Sequence, residues 1–240
     1  MPIKKKGAIP LYFWILLGLG FCAVLSFLVQ RVKTGGLSGL FAKAVASVCF
    51  IAVAIAAVNR NPAKLGFGSF MIFGFVCGLL GDVWLDLKWV YEKDKDAFLF
   101  AGFLFFLLGH IAFISAEYTL HAPTLKTIVF SLLGALLIAV IALIIEKPAN
   151  MVYGRFKTIV FCYTFVLSLT MTTAIAFLFA SQFQPVWITM SAGSLLFLLS
   201  DLVLSGMYFS TGKNTSFNII LNHGLYYAAQ FTLACAICFA

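Results

Sequence analysis

Charge is scarce in this sequence. Only 10% of its 240 residues are Asp, Glu, Lys or Arg, while 63% are hydrophobic; an ordinary soluble domain carries about 25% charged residues. A water-soluble fold of this length would lack the polar groups to cover its surface, which excludes a soluble globular protein. Long polar stretches are also missing, and no connector between apolar runs has room for a soluble domain. Absent too are H-E-x-x-H, a P-loop, a G-x-S-x-G elbow and the spaced arginines of a voltage sensor. The net charge of +8, from 16 basic and 8 acidic residues, would suggest nucleic acid in a soluble protein. Here the basic residues fall in short connectors, where lipid headgroups are the better match, and no nucleic-acid partner is expected.

What the chain has instead is apolar length, with a mean hydropathy of +1.07. Spanning the hydrocarbon core takes about 20 predominantly apolar residues. Eight segments meet that requirement: Pro10–Val29, Gly39–Val58, Leu65–Leu87, Ala97–Tyr118, Leu125–Ile145, Phe156–Ala180, Pro185–Tyr208 and Ser216–Phe239. The fold class this predicts is all-α: a polytopic membrane protein whose eight transmembrane helices form one bundle, a single domain over residues 1–240. Lys4, Lys5 and Lys6 precede an apolar run from Ile9 to about Val29. That run exceeds the ~7–15-residue core of a signal peptide and lacks a clear small-x-small cleavage site, so it reads as the first span. Orientation stays open. The basic start argues for a cytoplasmic N-terminus, whereas Arg31, Lys33, Lys88, Lys93, Lys95, Lys147, Arg155, Lys157 and Lys213 gather on the opposite side. All six cysteines lie inside apolar runs, and the Cys235-x-x-Cys238 pair has no second pair beside it, so buried thiols are expected.

Leu79-Leu80-Gly81-Asp82-Val83-Trp84-Leu85 echoes Leu198-Leu199-Ser200-Asp201-Leu202-Val203-Leu204 about half a chain later. Each stretch precedes a polar connector and a helix with a histidine inside it. The echo suggests two four-helix halves related by an axis along the membrane normal.

The polar residues within the spans carry the functional signal. A carboxylate at mid-membrane costs about 2.5–3.5 kcal/mol, so it must be paired, protonated or open to a wet cavity. Gly74, Gly78, Asp82 and Asp86 recur every four residues on one helical stripe. Its glycines admit a close neighbour, and its acids face the same interior. Asp86 lies near Lys88 and the interface, where ion pairing is the alternative to a site role. His110 is either an interhelical hydrogen-bonding group or part of a site with the nearby acids, and Glu117 is expected at the interface. Asp201 shares a face with Ser194 and Ser205 and has no basic residue within a turn, so it is hydrogen-bonded or protonated. In the last span Asn222, His223, Tyr226, Tyr227 and Gln230 form one polar stripe that must face protein or water. Matching depths place these groups in a polar intramembrane pocket that opens toward one membrane face. Two histidines and two aspartates would be a possible metal set, but their spacing supports no local ligand motif.

The sequence resembles the lysoplasmalogenase-like (YhhN-type) family of integral membrane proteins. The matching pieces are Gly81-Asp82-x-x-Leu85; Phe103 and Phe106 leading to His110 and Phe113; Ser200-Asp201-x-x-Leu204; and Tyr226-Tyr227-Ala228-Ala229-Gln230. They run in that order through segments three to eight. Gly224 departs from the bulkier residue expected there and puts the local pocket shape in question. The resemblance implies hydrolysis of the vinyl ether bond of a lysophospholipid substrate, the lysoplasmalogens, to a fatty aldehyde and a glycerophospho-headgroup. It implies no metal and no organic cofactor, with the lipid bilayer as surroundings and a bacterial inner membrane as location. Asp82 and Asp201 would be the catalytic pair, one acid and one base. His110, Asn222, His223, Tyr226, Tyr227, Gln230 and Asp86 would bind substrate or orient them. The competing readings are a solute or proton-coupled transporter using the same pocket, and a metal-dependent lipid amidase or esterase.

Overall fold

A computed structural model describes residues 9–60 and 62–240. Lys4, Lys5 and Lys6, and Asn61 of the second connector, lie outside the described residues. The described residues form eight long helices joined by short turns: α1 (Leu11–Lys33), α2 (Gly36–Arg60), α3 (Leu65–Leu87), α4 (Lys95–Leu120), α5 (Leu125–Ile144), α6 (Lys157–Ala180), α7 (Pro185–Phe209) and α8 (Ser216–Ala236). The apolar spans thus become helices whose ends fall within about four residues of those expected, because lipid forces every backbone polar group to be satisfied within the segment. Seven of them are long and apolar enough to cross a membrane. The last, α8, is not among these because its polar stripe dilutes its apolar content. At 21 residues it is nevertheless about 31 Å long, enough to span a core of about 30 Å.

Local chemistry marks the helix ends. Gly35 and Gly36 both adopt positive φ between α1 and α2, a conformation that costs glycine little. The Thr124 and Thr215 hydroxyls accept hydrogen bonds from the backbone N–H groups of Thr127 and Asn218 and so cap α5 and α8. Pro185 opens α7, where its missing N–H is no loss.

Six helices close a ring in the order α2, α3, α4, α6, α7, α8 and back to α2, with α1 outside α2 and α8, and α5 outside α6. The pattern repeats after four helices. α1 packs on α2 as α5 does on α6, α3 pairs with α4 as α7 does with α8, and the α4–α6 contact matches α8–α2. The two aspartate-bearing helices, α3 and α7, occupy equivalent places in the halves. Outward-facing side chains such as Phe21, Phe41, Leu125 and Leu137 are large, apolar and exposed, a surface suited to lipid.

Close packing in the ring depends on small residues, as the α3 stripe implied. A Cβ on Gly109 of α4 would stand 3.1 Å from the Gly74 carbonyl oxygen of α3, and one on Gly78 would stand 3.0 Å from Gln230 Nε2 of α8. Asp82, one turn beyond Gly78, thereby comes within reach of α8.

Candidate functional site

The site begins with a buried cation. Lys43 lies in the first half of α2 and is 3% exposed, so the basic residues are not confined to connectors. Its Nζ sits 3.1 Å from Asp82 Oδ1 and 3.3 Å from Asp86 Oδ1. Arg31, in the last turn of α1, pairs with the other Asp86 oxygen at 3.2 Å. Two cations and two acids from three helices balance in the bundle interior. Asp86 is therefore an ion-paired group, partnered by Arg31 and Lys43.

Asp82 receives more than the lysine. Its Oδ2 accepts from Ser47 Oγ at 2.6 Å and from Tyr226 Oη at 2.7 Å. Gln230 Nε2 donates to Tyr226 Oη at 2.9 Å and fixes that ring. Tyr227 donates to the Lys43 carbonyl oxygen at 3.1 Å and lies 3.2 Å from Ser47. The α8 stripe thus faces protein, as its period required, and three of its members hold the Asp82 surroundings. Hydrogen bonds to an ionised group are shorter and roughly twice as strong as neutral ones, which favours Asp82 as an anion.

Asp201 is different. Tyr163 of α6 donates a hydrogen bond to its Oδ2, and no cation pairs with it among the described residues. It is half-buried. Asp82 and Asp201 line one small cavity of about 20 Å³, together with Lys43, Ser200, His223 and Tyr226. That volume holds about one water. Asn222 of the cavity wall is taken up by α7, donating to the Ser200 carbonyl oxygen at 2.8 Å. His223 packs edge-on to Phe27 at 4.9 Å between ring centres.

One expectation needs correction. His110 does not reach the carboxylates: its Nδ1 lies 3.2 Å from Thr170 Oγ1, and its ring packs on Phe197 at 4.6 Å. It ties α4 to α6 away from the cavity. Glu117 lies in the last turn of α4, near the helix end as expected, but is fully buried within protein, and neither carboxyl oxygen has a hydrogen-bond partner among the described residues. It shares the inward face with His110 and Phe113, and α4, α6 and α7 all end within about a turn of its level, where Tyr118, Phe177 and Trp187 pack ring against ring. Gly224 does not shape the pocket, since a Cβ there would meet nothing within 4 Å.

Three contributors were not singled out from the sequence. Lys43 was open to the same insertion-cost argument that picked out the acids, being a charged side chain within an apolar helix. Ser47, one turn further along the same face, follows once Lys43 is noticed. Tyr163 left no signal, as one tyrosine among many aromatic residues. Metal ligation finds no geometry here: among the described residues no group of three or more His, Cys, Asp or Glu side chains is placed to hold an ion.

Outside the spans, Glu146 in the connector before α6 accepts from Lys157 Nζ at 2.7 Å and from the Tyr153 backbone N–H at 2.9 Å. These bonds hold its carboxyl below the ordinary range. Lys88, just past α3, sits with its ammonium against the Tyr208 ring and 4.6 Å from the Trp89 ring centre. Burial pushes it down to about 6.

A sequence model described as the YhhN family matches residues 38–237. The chain belongs to the YhhN family. The YhhN match takes in nearly all of α2 and every later helix, so Lys43, both cavity aspartates and the α8 stripe fall within it. No curated protein and no solved structure matches the chain.

Proposed function

We propose that this chain is a membrane-embedded hydrolase that cleaves the vinyl ether bond of lysoplasmalogens, with Asp201 as general acid and Asp82 as general base. One observation carries the proposal: two carboxyl groups from different halves of the bundle line one water-sized cavity in opposite surroundings. Asp82 has a lysine and two hydroxyl donors, and Asp201 has a single phenol. Pairs of carboxyls pushed apart by their environments are the pattern of acid–base catalysis through an oxocarbenium ion. Membership of the YhhN family, which is associated with lysoplasmalogenase activity, supports the substrate class.

The steps balance. Asp201 gives its proton to the vinyl carbon remote from the ether oxygen, leaving an oxocarbenium ion at the carbon bound to oxygen. Water adds there while Asp82 takes its proton, and Lys43 and Tyr226 hold that carboxyl in place. The hemiacetal then collapses: Asp82 returns the proton to the glycerol oxygen, and Asp201 takes the hemiacetal hydroxyl proton. A fatty aldehyde and the glycerophospho-headgroup leave, and both acids regain their starting states. Tyr163 donates to Asp201 Oδ2, which leaves Oδ1 to carry the mobile proton.

Purified protein incubated in detergent with a choline lysoplasmalogen should release aldehyde, while an ester-linked lysophospholipid should yield no fatty acid. Fatty acid from the ester would refute vinyl ether selectivity. Solute flux in vesicles without aldehyde would favour transport instead.

A further inference from the structure

Asp201 belongs to a second cavity as well. A groove of about 220 Å³ runs down the outside of α6 between α5 and α7, and Asp201 is its one acid. Its walls are otherwise mostly alkyl, including Ile138 and Ile141 of α5, Leu167 of α6, and Leu198 and Leu202 of α7. Ile141, Leu199 and Leu202 are exposed on the outer surface, so the groove opens sideways toward lipid. On the membrane face above it, a crevice of about 650 Å³ is lined by Lys88, Trp89, Lys95, Arg155, Glu92 and Asp96, among others. Tyr153 lines both cavities. Its hydroxyl donates to the Ala142 carbonyl oxygen of α5 at 3.2 Å, which fixes it at their junction.

We infer that crevice and groove form one binding track for a single-chain zwitterionic phospholipid, with its headgroup in the crevice and its hydrocarbon chain in the groove. The inference rests on the proposed hydrolase and assigns where its substrate lies. Charge sets the headgroup's place. Arg155 and Asp96 are already paired, which leaves the Lys88 and Lys95 ammoniums for a phosphodiester and the Glu92 carboxylate for the headgroup cation. A phosphodiester beside Lys88 would supply counter-charge and favour its protonated form. Depth sets the chain's place. Met207 to Phe209 in the crevice wall stand six to eight residues beyond Asp201 along α7, about 9–12 Å at 1.5 Å per residue. Fully extended, the seven bonds from phosphorus through glycerol and the ether oxygen to the remote vinyl carbon reach about 8–9 Å at about 1.2 Å per bond, the near end of that span, which brings the reactive carbon to Asp201 and sends the chain deeper toward Leu198. The groove is smaller than the ~300–1,000 Å³ of ordinary ligand pockets, so it suits one chain and not two.

The test is equilibrium binding of 1-O-alkyl lysophosphocholine, which has no vinyl bond and is insensitive to hydrolysis, to purified full-length protein in detergent. A second ligand, 1-O-alkylglycerol, lacks the headgroup. Ala142→Trp, which fills the groove, should weaken both ligands by roughly tenfold or more. Lys88→Gln with Lys95→Gln should weaken the phosphocholine lipid by roughly tenfold and leave the alkylglycerol unchanged. Leu202→Trp replaces Ala142→Trp if the latter does not match the wild-type melting profile. Unaltered binding in the groove-filled variant, or equal losses for both ligands in the lysine variant, overturns the track. Binding as described with no aldehyde from the vinyl ether leaves the track standing and removes the hydrolase; aldehyde release with unaffected binding does the reverse.

Discussion

Asp201→Asn is expected to lower aldehyde release by about 10²–10⁴-fold, the range that a positioned general acid contributes, without loss of thermal stability. An asparagine keeps an oxygen to accept from Tyr163 but cannot deliver a proton to carbon. Asp82→Asn should cost activity on the same scale for a different reason, since an amide cannot take a proton from water. The two variants separate by their melting curves. Asp82 shares Lys43 with Asp86 and accepts two hydroxyl bonds, so its replacement lowers stability, whereas that of Asp201 does not. Full activity in either variant refutes the assignment.

Lys43→Met is expected to have the largest effect on stability. Lys43 is the shared cation of two buried carboxylates, and only Arg31 would remain to oppose them. Breaking a buried pair by removing one partner costs about 3–5 kcal/mol, a large share of the ~5–15 kcal/mol that holds a typical protein folded. Adding Asp82→Asn leaves the Arg31–Asp86 pair as one cation and one acid, so the double variant should melt above Lys43→Met alone. Neighbours in one ion-pair network are coupled in this non-additive way. A Lys43→Met protein that melts like the wild type would show that the pairs do not contribute. Aldehyde release should fall with Lys43→Met alone, because Asp82 loses the cation that keeps it ionised.

Much of the architecture was legible because lipid leaves so few options. Each apolar run of sufficient length became a helix, and the α8 stripe told which face turns inward, since Asn222, Tyr226 and Gln230 had to find protein. The repeat of Gly81-Asp82 and Ser200-Asp201 marked equivalent places in two halves that the helix contacts reproduce. The partners of those acids were harder to read. Hydropathy smooths a lone lysine away, so Lys43 hid in α2 although its charge had to be compensated. Tyr163 is indistinguishable from a belt tyrosine until α6 is seen against α7. His110 looked like a site residue because depth and residue type were right, but the rotation of α4 aims its ring at Thr170. Sequence gives depth well and azimuth poorly when a helix is apolar all round.

The most direct measurement of water addition to the oxocarbenium carbon at the shared cavity is the isotope content of the products. The reaction is run briefly in oxygen-18 water with a lysoplasmalogen, the aldehyde is trapped at once by borohydride reduction, and the alcohol and the glycerophospho-headgroup are weighed by mass spectrometry. Protonation of the vinyl carbon by Asp201 followed by water addition places the label in the alcohol and none in the headgroup. Label in the glycerol hydroxyl would mean that water attacks the glycerol carbon without an oxocarbenium ion, and the paired aspartates would lose their role.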